Sequence, residues 1–184
     1  MAIKISGSPD KEFTPYVHRA AKFFSDHLLT KQMQENTNIY IKFVKNLQDC
    51  GSAGVEGYNA KGQPRDFLIE INPHLGARGI LETLAHEMVH VKQFAYGHTN
   101  ETLNKWLNTK IDTDKVDYWF QPWEVEAHGL EIGLVTKFAI HEELWTVFKD
   151  FKKPGTIKKS KIIIAVNLLM FQSQVKKYLN FDTK

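Results

Sequence analysis

Apolar residues recur at three- and four-residue spacings over residues 14–29, where Tyr16, Val17, Ala20, Ala21, Phe23, Phe24, Leu28 and Leu29 mark one face of an amphipathic helix. Pro15 suits its first turn. The period then changes. Ile39, Ile41 and Phe43 alternate with Tyr40, Lys42 and Val44, which predicts a strand over residues 39–45. Two further strand-like runs, 53–58 and 66–71, flank the turn residues Asn59-Ala60-Lys61-Gly62. Together these read as a three-strand meander with a hairpin turn. The last strand stops at Asn72-Pro73, because proline denies a sheet ladder its donor.

Leu81, Leu84, Ala85, Met88, Val91 and Ala95 line one face of a second helix, predicted over 77–96, with Gly97 as its C-terminal stop. Residues 98–121 are polar and irregular except for Leu103, Trp106 and Leu107, which suggest a short helix. Pro122 opens another long helix to about residue 140, and 141–151 reads as its continuation or a short helix after it. Beyond Pro154-Gly155, residues 157–179 predict a last amphipathic helix, with the β-branched run Ile162–Ile164 leaving a strand as the alternative.

A chain of 184 residues has the size of one domain. With 42% hydrophobic and 24% charged residues it is ordinary for a folded protein, and disordered, collagen-like or coiled-coil classes are excluded. The expected fold class is α+β: one domain over 1–184, its core at about 39–140 and a helical extension at about 141–184. A net charge of +3 does not by itself announce a nucleic-acid binder. The single cysteine, Cys50, cannot form an intramolecular disulfide, and the chain opens with no secretory pattern, so a cytoplasmic setting is expected. The most apolar stretch, around residues 162–171, is shorter than the roughly 18 residues that read as a membrane span.

Candidate chemistry sits in His86-Glu87-Met88-Val89-His90, an HExxH motif inside a segment already assigned to a helix by periodicity. Residue frequencies make a chance match in a chain of this length and composition about 2%. On a helix, positions i and i+4 share a face, so His86 and His90 can reach one Zn²⁺. Glu87 lies beside that face, placed to take a proton from a metal-bound water without being a ligand. The apolar stripe is offset from the line His86, His90, Gln93, which turns the histidines toward a possible cleft. Gln93, one turn on, is a candidate partner for them.

A catalytic zinc site needs a third protein ligand. The best source is Pro122-Trp123-Glu124-Val125-Glu126-Ala127-His128-Gly129, at the start of a helix 34 positions beyond His90. An acidic residue there also suits the helix dipole, and that reading fits Glu124 and Glu126 equally.

On these residues the chain resembles the gluzincins, HExxH zinc peptidases in which a glutamate on a later helix completes the site. Many of them carry E-x-x-A-D or E-x-x-A-N there, and the matching positions are Glu124, Ala127 and His128. The resemblance implies that Glu124 is the third ligand, with Glu126 in reserve, and that His128 takes the slot of a polar residue holding a ligand histidine. The wider stretch, from the strand Phe67, Leu68, Ile69, Glu70, Ile71 through Leu84–Gln93 to Gln121–Ala127, looks like the SprT-like metallopeptidases of bacteriophages. In SprT and Spartan proteins the third ligand is a histidine, a role that His98 or His128 would have to fill.

The resemblance implies a zincin-like domain with a small sheet packed on the HExxH helix, zinc as cofactor, a polypeptide substrate and hydrolysis of peptide bonds. It also implies an exposed edge strand that pairs with extended substrate, and Phe67, Leu68, Ile69, Glu70 and Ile71 form the corresponding strand. For oxyanion stabilisation Tyr118, His98 and Tyr96 are candidates, none assigned. Tyr118-Trp119-Phe120, with Trp123, reads as an anchor seating the ligand helix. Lys152, Lys153, Lys158, Lys159 and Lys161 form a solvated basic loop or, in the alternative, a phosphate-contacting patch of a DNA-associated protein. A further alternative is a zinc-containing regulatory protein that cleaves little or nothing. Cys50 has no histidine near it in sequence and reads as a structural thiol.

Overall fold

Alternating apolar residues set which strands go inside. The computed structural model describes residues 1–153, and a four-stranded sheet is built from β1 (Ala2–Ser6), β2 (Asn38–Phe43), β3 (Gly51–Tyr58) and β4 (Pro64–Ile71). The spatial order is β1-β2-β4-β3, with β1, β2 and β4 parallel and β3 antiparallel to β4. On β2 Ile39, Ile41 and Phe43 are buried, and on β4 Phe67, Ile69 and Ile71, directly opposite them in register. The other face carries polar pairs such as Lys42 with Glu70, Nζ to Oε1 3.1 Å.

This order corrects two expectations. The strands are not a meander, because the connection over residues 44–50 carries the chain past the place of β4 to β3, and β4 then returns in a hairpin between β3 and β2. Nor is Phe67, Leu68, Ile69, Glu70, Ile71 an edge, because β2 and β3 flank it on either side. The physical reason lies in the side chains. β4 has three fully buried apolar residues to place in the interior, whereas the glycine-rich β3 has only half-buried and exposed ones and takes the edge. The hairpin turn forms where expected: Asn59 Oδ1 accepts from the backbone N–H of Lys61 and Gln63 at 2.9 and 3.0 Å, and Gly62 takes φ +70°.

Helix α1 (Thr14–Leu28) and the central helix α3 (Ala77–Ala95) pack on the buried face, α1 followed by the short α2 (Lys31–Glu35). β1 and α1 therefore share the core, which starts well before residue 39. α3 ends in a Schellman motif: Gly97 at φ +68° lets its N–H reach Phe94 O (3.0 Å) and that of His98 reach Gln93 O (2.8 Å). Against its far side lies α4 (Pro122–His141), so that residues 84–91 of α3 are buried without interruption.

One other expectation changes and one is narrowed to the second of its two readings. Leu103, Trp106 and Leu107 do not form a helix; Lys105–Trp106 (β5) and Thr109–Lys110 (β6) make a small hairpin whose connection holds Leu107 at φ +52°. After α4, Glu143 at φ +50° breaks the helix, and only a 3-10 turn, Leu144–Thr146, follows. Leu144 and Phe151 are buried, and Phe148 packs edge-on to Phe13 and Tyr16. Asp150 Oδ2 accepts from the N–H of Arg78 at 3.2 Å, a carboxylate at the N-terminus of α3.

The result is an α+β arrangement. Residues Met1–Phe151 form one unit and Lys152–Lys184 a second. Lys152 and Lys153 are exposed; Lys158, Lys159, Lys161 and the helix predicted at 157–179 lie outside the described residues. Among the described residues no helix is long and apolar enough to cross a membrane.

Candidate metal centre

The HExxH turn lies mid-way along α3, where the helix faces α4. His86, Glu87, His90 and, from the first turn of α4, Glu124 are all buried. Pro122 at the first helical position and the 3-10 turn Tyr118–Phe120 set where α4 begins and place Glu124 over the histidines. His86 Nε2 and His90 Nε2 are 3.1 Å apart. Glu124 brings Oε2 to 3.2 Å from the first and Oε1 to 3.6 Å from the second. Tyr118, an oxyanion candidate in the sequence, donates its hydroxyl to Glu124 Oε2 at 2.7 Å.

The outward nitrogens of both histidines are engaged, which fixes what the inward ones offer. Gln93 uses its amide nitrogen to donate to Trp123 O (2.9 Å) and Glu126 Oε2 (3.0 Å), so its oxygen is the atom 2.8 Å from His90 Nδ1. An oxygen there can only accept, and Nδ1 of His90 carries the proton. Glu131 Oε2 lies 2.7 Å from His86 Nδ1 and dictates the same tautomer. With Nδ1 protonated, the neutral form of each histidine presents the Nε2 lone pair toward the other ring and toward a carboxylate. Three acceptors at this range repel unless a cation lies between them, either a proton shared within the cluster or a metal ion.

The spacing fits the second. A tetrahedral site with arms of 2.0–2.1 Å has donor-to-donor edges of about 3.3–3.4 Å. The two Nε2 atoms at 3.1 Å, and the 3.2 and 3.6 Å that separate each of them from a different Glu124 oxygen, lie near that edge. His86, His90 and Glu124 are close enough to hold one metal ion, and two nitrogens with one carboxylate are a donor set suited to zinc.

Glu126, the reserve ligand, does not join them. It accepts from Lys92 Nζ at 2.5 Å and from Gln93, tying α4 to α3 rather than facing the histidines. His128 touches the site indirectly: Nδ1 is 3.4 Å from Glu131, and the ring lies 4.5 Å from that of His86. His98 belongs to neither cluster able to hold a metal among the described residues; its ring packs on Trp106 and Tyr96. Cys50 is exposed. The residue missed in the sequence is Glu131. Its signal was available as Glu124-x3-His128-x2-Glu131, a spacing that puts all three on one helix face.

Charge in this pocket shifts several groups. Burial opposes protonation of His86, but hydrogen bonds to Glu124 and Glu131 outweigh it and raise the pKa to about 9. Burial pushes Glu87 up to about 7, with His90 and His86 pulling the other way. Burial also works on Glu124, yet its bonds from His86, His90 and Tyr118 hold it well below the usual carboxylate range. Against its ordinary value of 6.5, His86 stabilises the metal-free fold fully below that pH and loses the contribution as pH rises through about 9. Glu87, against 4.5, is penalised increasingly as pH climbs from there to about 7. Metal-free protein should therefore weaken with rising pH, and a bound divalent ion should stabilise it more. Thermal melts should show the gap between zinc-loaded and metal-free protein widening from about pH 6 to about pH 8.5; a narrowing gap would contradict this account.

One glycine is dictated by the site. A Cβ on Gly51, at the start of β3, would lie 2.4 Å from Thr83 Cγ2, 3.0 Å from Glu70 O and 3.1 Å from Glu87 Oε1. The end of the edge strand runs directly past the Glu87 carboxylate.

Compared with protein-family models, curated proteins and solved structures, the chain matches none of them.

Proposed function

We propose that this chain is a zinc-dependent metallopeptidase of zincin-like architecture, hydrolysing peptide bonds. The observation that carries the reading is the convergence of two imidazole Nε2 atoms and the Glu124 carboxylate within reach of one ion, with Glu87 buried beside them. His86, His90 and Glu124 would hold Zn²⁺, which when bound polarises a carbonyl and lowers the pKa of water toward neutrality. Glu87 is a buried carboxylate beside the ligand histidines, the placement a general base for a metal-bound water needs. Its carboxylate accepts a proton from the attacking water. As the oxygen bonds to the carbonyl carbon and the C–N bond breaks, Glu87 passes that proton to the leaving amine.

The exposed edge of β3 supports a polypeptide substrate. An extended chain pairing there would run alongside Gly51 and so beside Glu87. Glycines at 51, 54 and 57 keep that strand slim.

The test is direct. Zinc-loaded full-length protein incubated with unfolded polypeptides should generate new amino termini; chelation should stop this and added zinc should restore it. Protein that carries stoichiometric zinc yet cleaves none of a varied panel would overturn the peptidase reading, and protein that takes up no zinc would overturn the metal centre itself.

A further inference from the structure

Resting on the zinc-centre reading above, we infer that Glu131 is the positioning residue for His86 and that His128 and Trp119 shield the bond between them. Glu124, His128 and Glu131 are spaced i, i+4 and i+7, which at 100° per residue places them within about 60° of arc on α4. One helix thus delivers both a ligand carboxylate and, two turns later, the carboxylate that orients a ligand histidine. Glu131 Oε2 is 2.7 Å from His86 Nδ1, a contact between helices that no helix-stabilising role requires.

Aromatic rings cover one side of that bond. His128 Nδ1 lies 3.4 Å from both Glu131 oxygens, and its ring covers His86 on one side. Trp119 stacks on His128 at 4.9 Å with an interplanar angle of 29°, while remaining 64% exposed itself. Asp117 holds Trp119 in place by accepting from its backbone N–H at 3.1 Å. An aromatic column thus reaches from solvent to the ligand histidine, and the less water reaches a hydrogen bond beneath it, the stronger that bond is.

The two ligand histidines are consequently unequal. His90 is held by a neutral amide, Gln93, whereas His86 is held by a carboxylate. A carboxylate on the far nitrogen raises the basicity of the near one, so Glu131 adds to metal affinity rather than only to the fold. His86, His128 and Glu131 also lie close enough together to hold an ion of their own, an arrangement that would end the positioning role.

Zinc affinity of the full chain, measured by competition with a chromophoric chelator, separates these cases. Glu131→Ala should weaken binding by about 10–100-fold. Glu131→Gln, which keeps an acceptor oxygen and nearly the same shape, should lose several-fold and so partly rescue. In zinc-loaded protein with ¹⁵N-labelled histidine, the His86 Nδ1–H signal should be protected in wild type and lost in Glu131→Ala. Affinities of Glu131→Gln and Glu131→Ala both within twofold of wild type, or two zinc ions per wild-type chain, would overturn the inference while leaving a zinc centre standing. Should the alanine variant not fold, an unchanged Glu131→Gln overturns it alone. A wild type that binds no zinc overturns the underlying reading instead.

Discussion

Glu87→Gln should remove hydrolysis while zinc stays bound. An amide keeps the size and polarity of the side chain but cannot accept the proton of the attacking water. Loss of a positioned general base costs about 10²–10⁴-fold, so turnover should fall to that extent. Zinc content should be unchanged, because Glu87 is not among the three donors that converge. The fold should not suffer either. Glu87 is a buried carboxyl whose pKa is raised to about 7, and above that pH its ionised form is a cost that glutamine lacks. At pH 8 the variant should melt no lower than metal-free wild type. Retained cleavage in a zinc-loaded Glu87→Gln protein would remove Glu87 from the chemistry, and zinc lost together with activity would make it a ligand instead.

The second large effect is expected at Glu124. Apparent zinc binding energies of about 10–16 kcal/mol for four-ligand structural sites suggest about 2.5–4 kcal/mol per ligand. At 1.4 kcal/mol per tenfold, Glu124→Ala should weaken zinc by about 10²–10³-fold. It also strands the Tyr118 hydroxyl, which donates to that carboxylate. Glu126→Ala is the control, two residues away in the same turn. It breaks the Lys92 ion pair and one bond to Gln93 but leaves the donors in place, so affinity should stay within about threefold. Equal losses in the two variants, read by the same chelator competition, would mean that α4 matters for packing and not for ligation.

Local pattern carried much of this molecule. Period located α1 and α3 to within a residue or two, because each has apolar residues at the spacing of the helix, and Pro122 marked the start of α4. His86, Glu87 and His90 are legible for the same reason: helical spacing converts i and i+4 into one face without reference to anything distant. The turn at Asn59–Gly62 is equally local, since the Asn59 side chain bonds its own neighbours.

β1 escaped notice because Ile3 and Ile5 alone are too short a pattern to separate from a tail. Strand order was beyond local reading, since adjacency in the chain does not say that β2 skips a place and pairs with β4. Burial decided that. The histidines' surroundings follow the same rule: they face α4 rather than open space, because the sheet takes one side of α3 and α4 the other.

What the amino-acid order determined by itself was therefore the three long helices, the strands β2 to β4 with their hairpin turn, and the two imidazoles with their neighbouring carboxylate, all products of contacts within a few residues. What only the tertiary structure decided was which of Glu124 and Glu126 meets the histidines, that Glu131 and Gln93 hold them from behind, and that β3 rather than β4 lies at an edge. Each depends on how α4 and the strands pack against α3. Packing is a competition among distant surfaces for the same buried space, and no local spacing records its outcome.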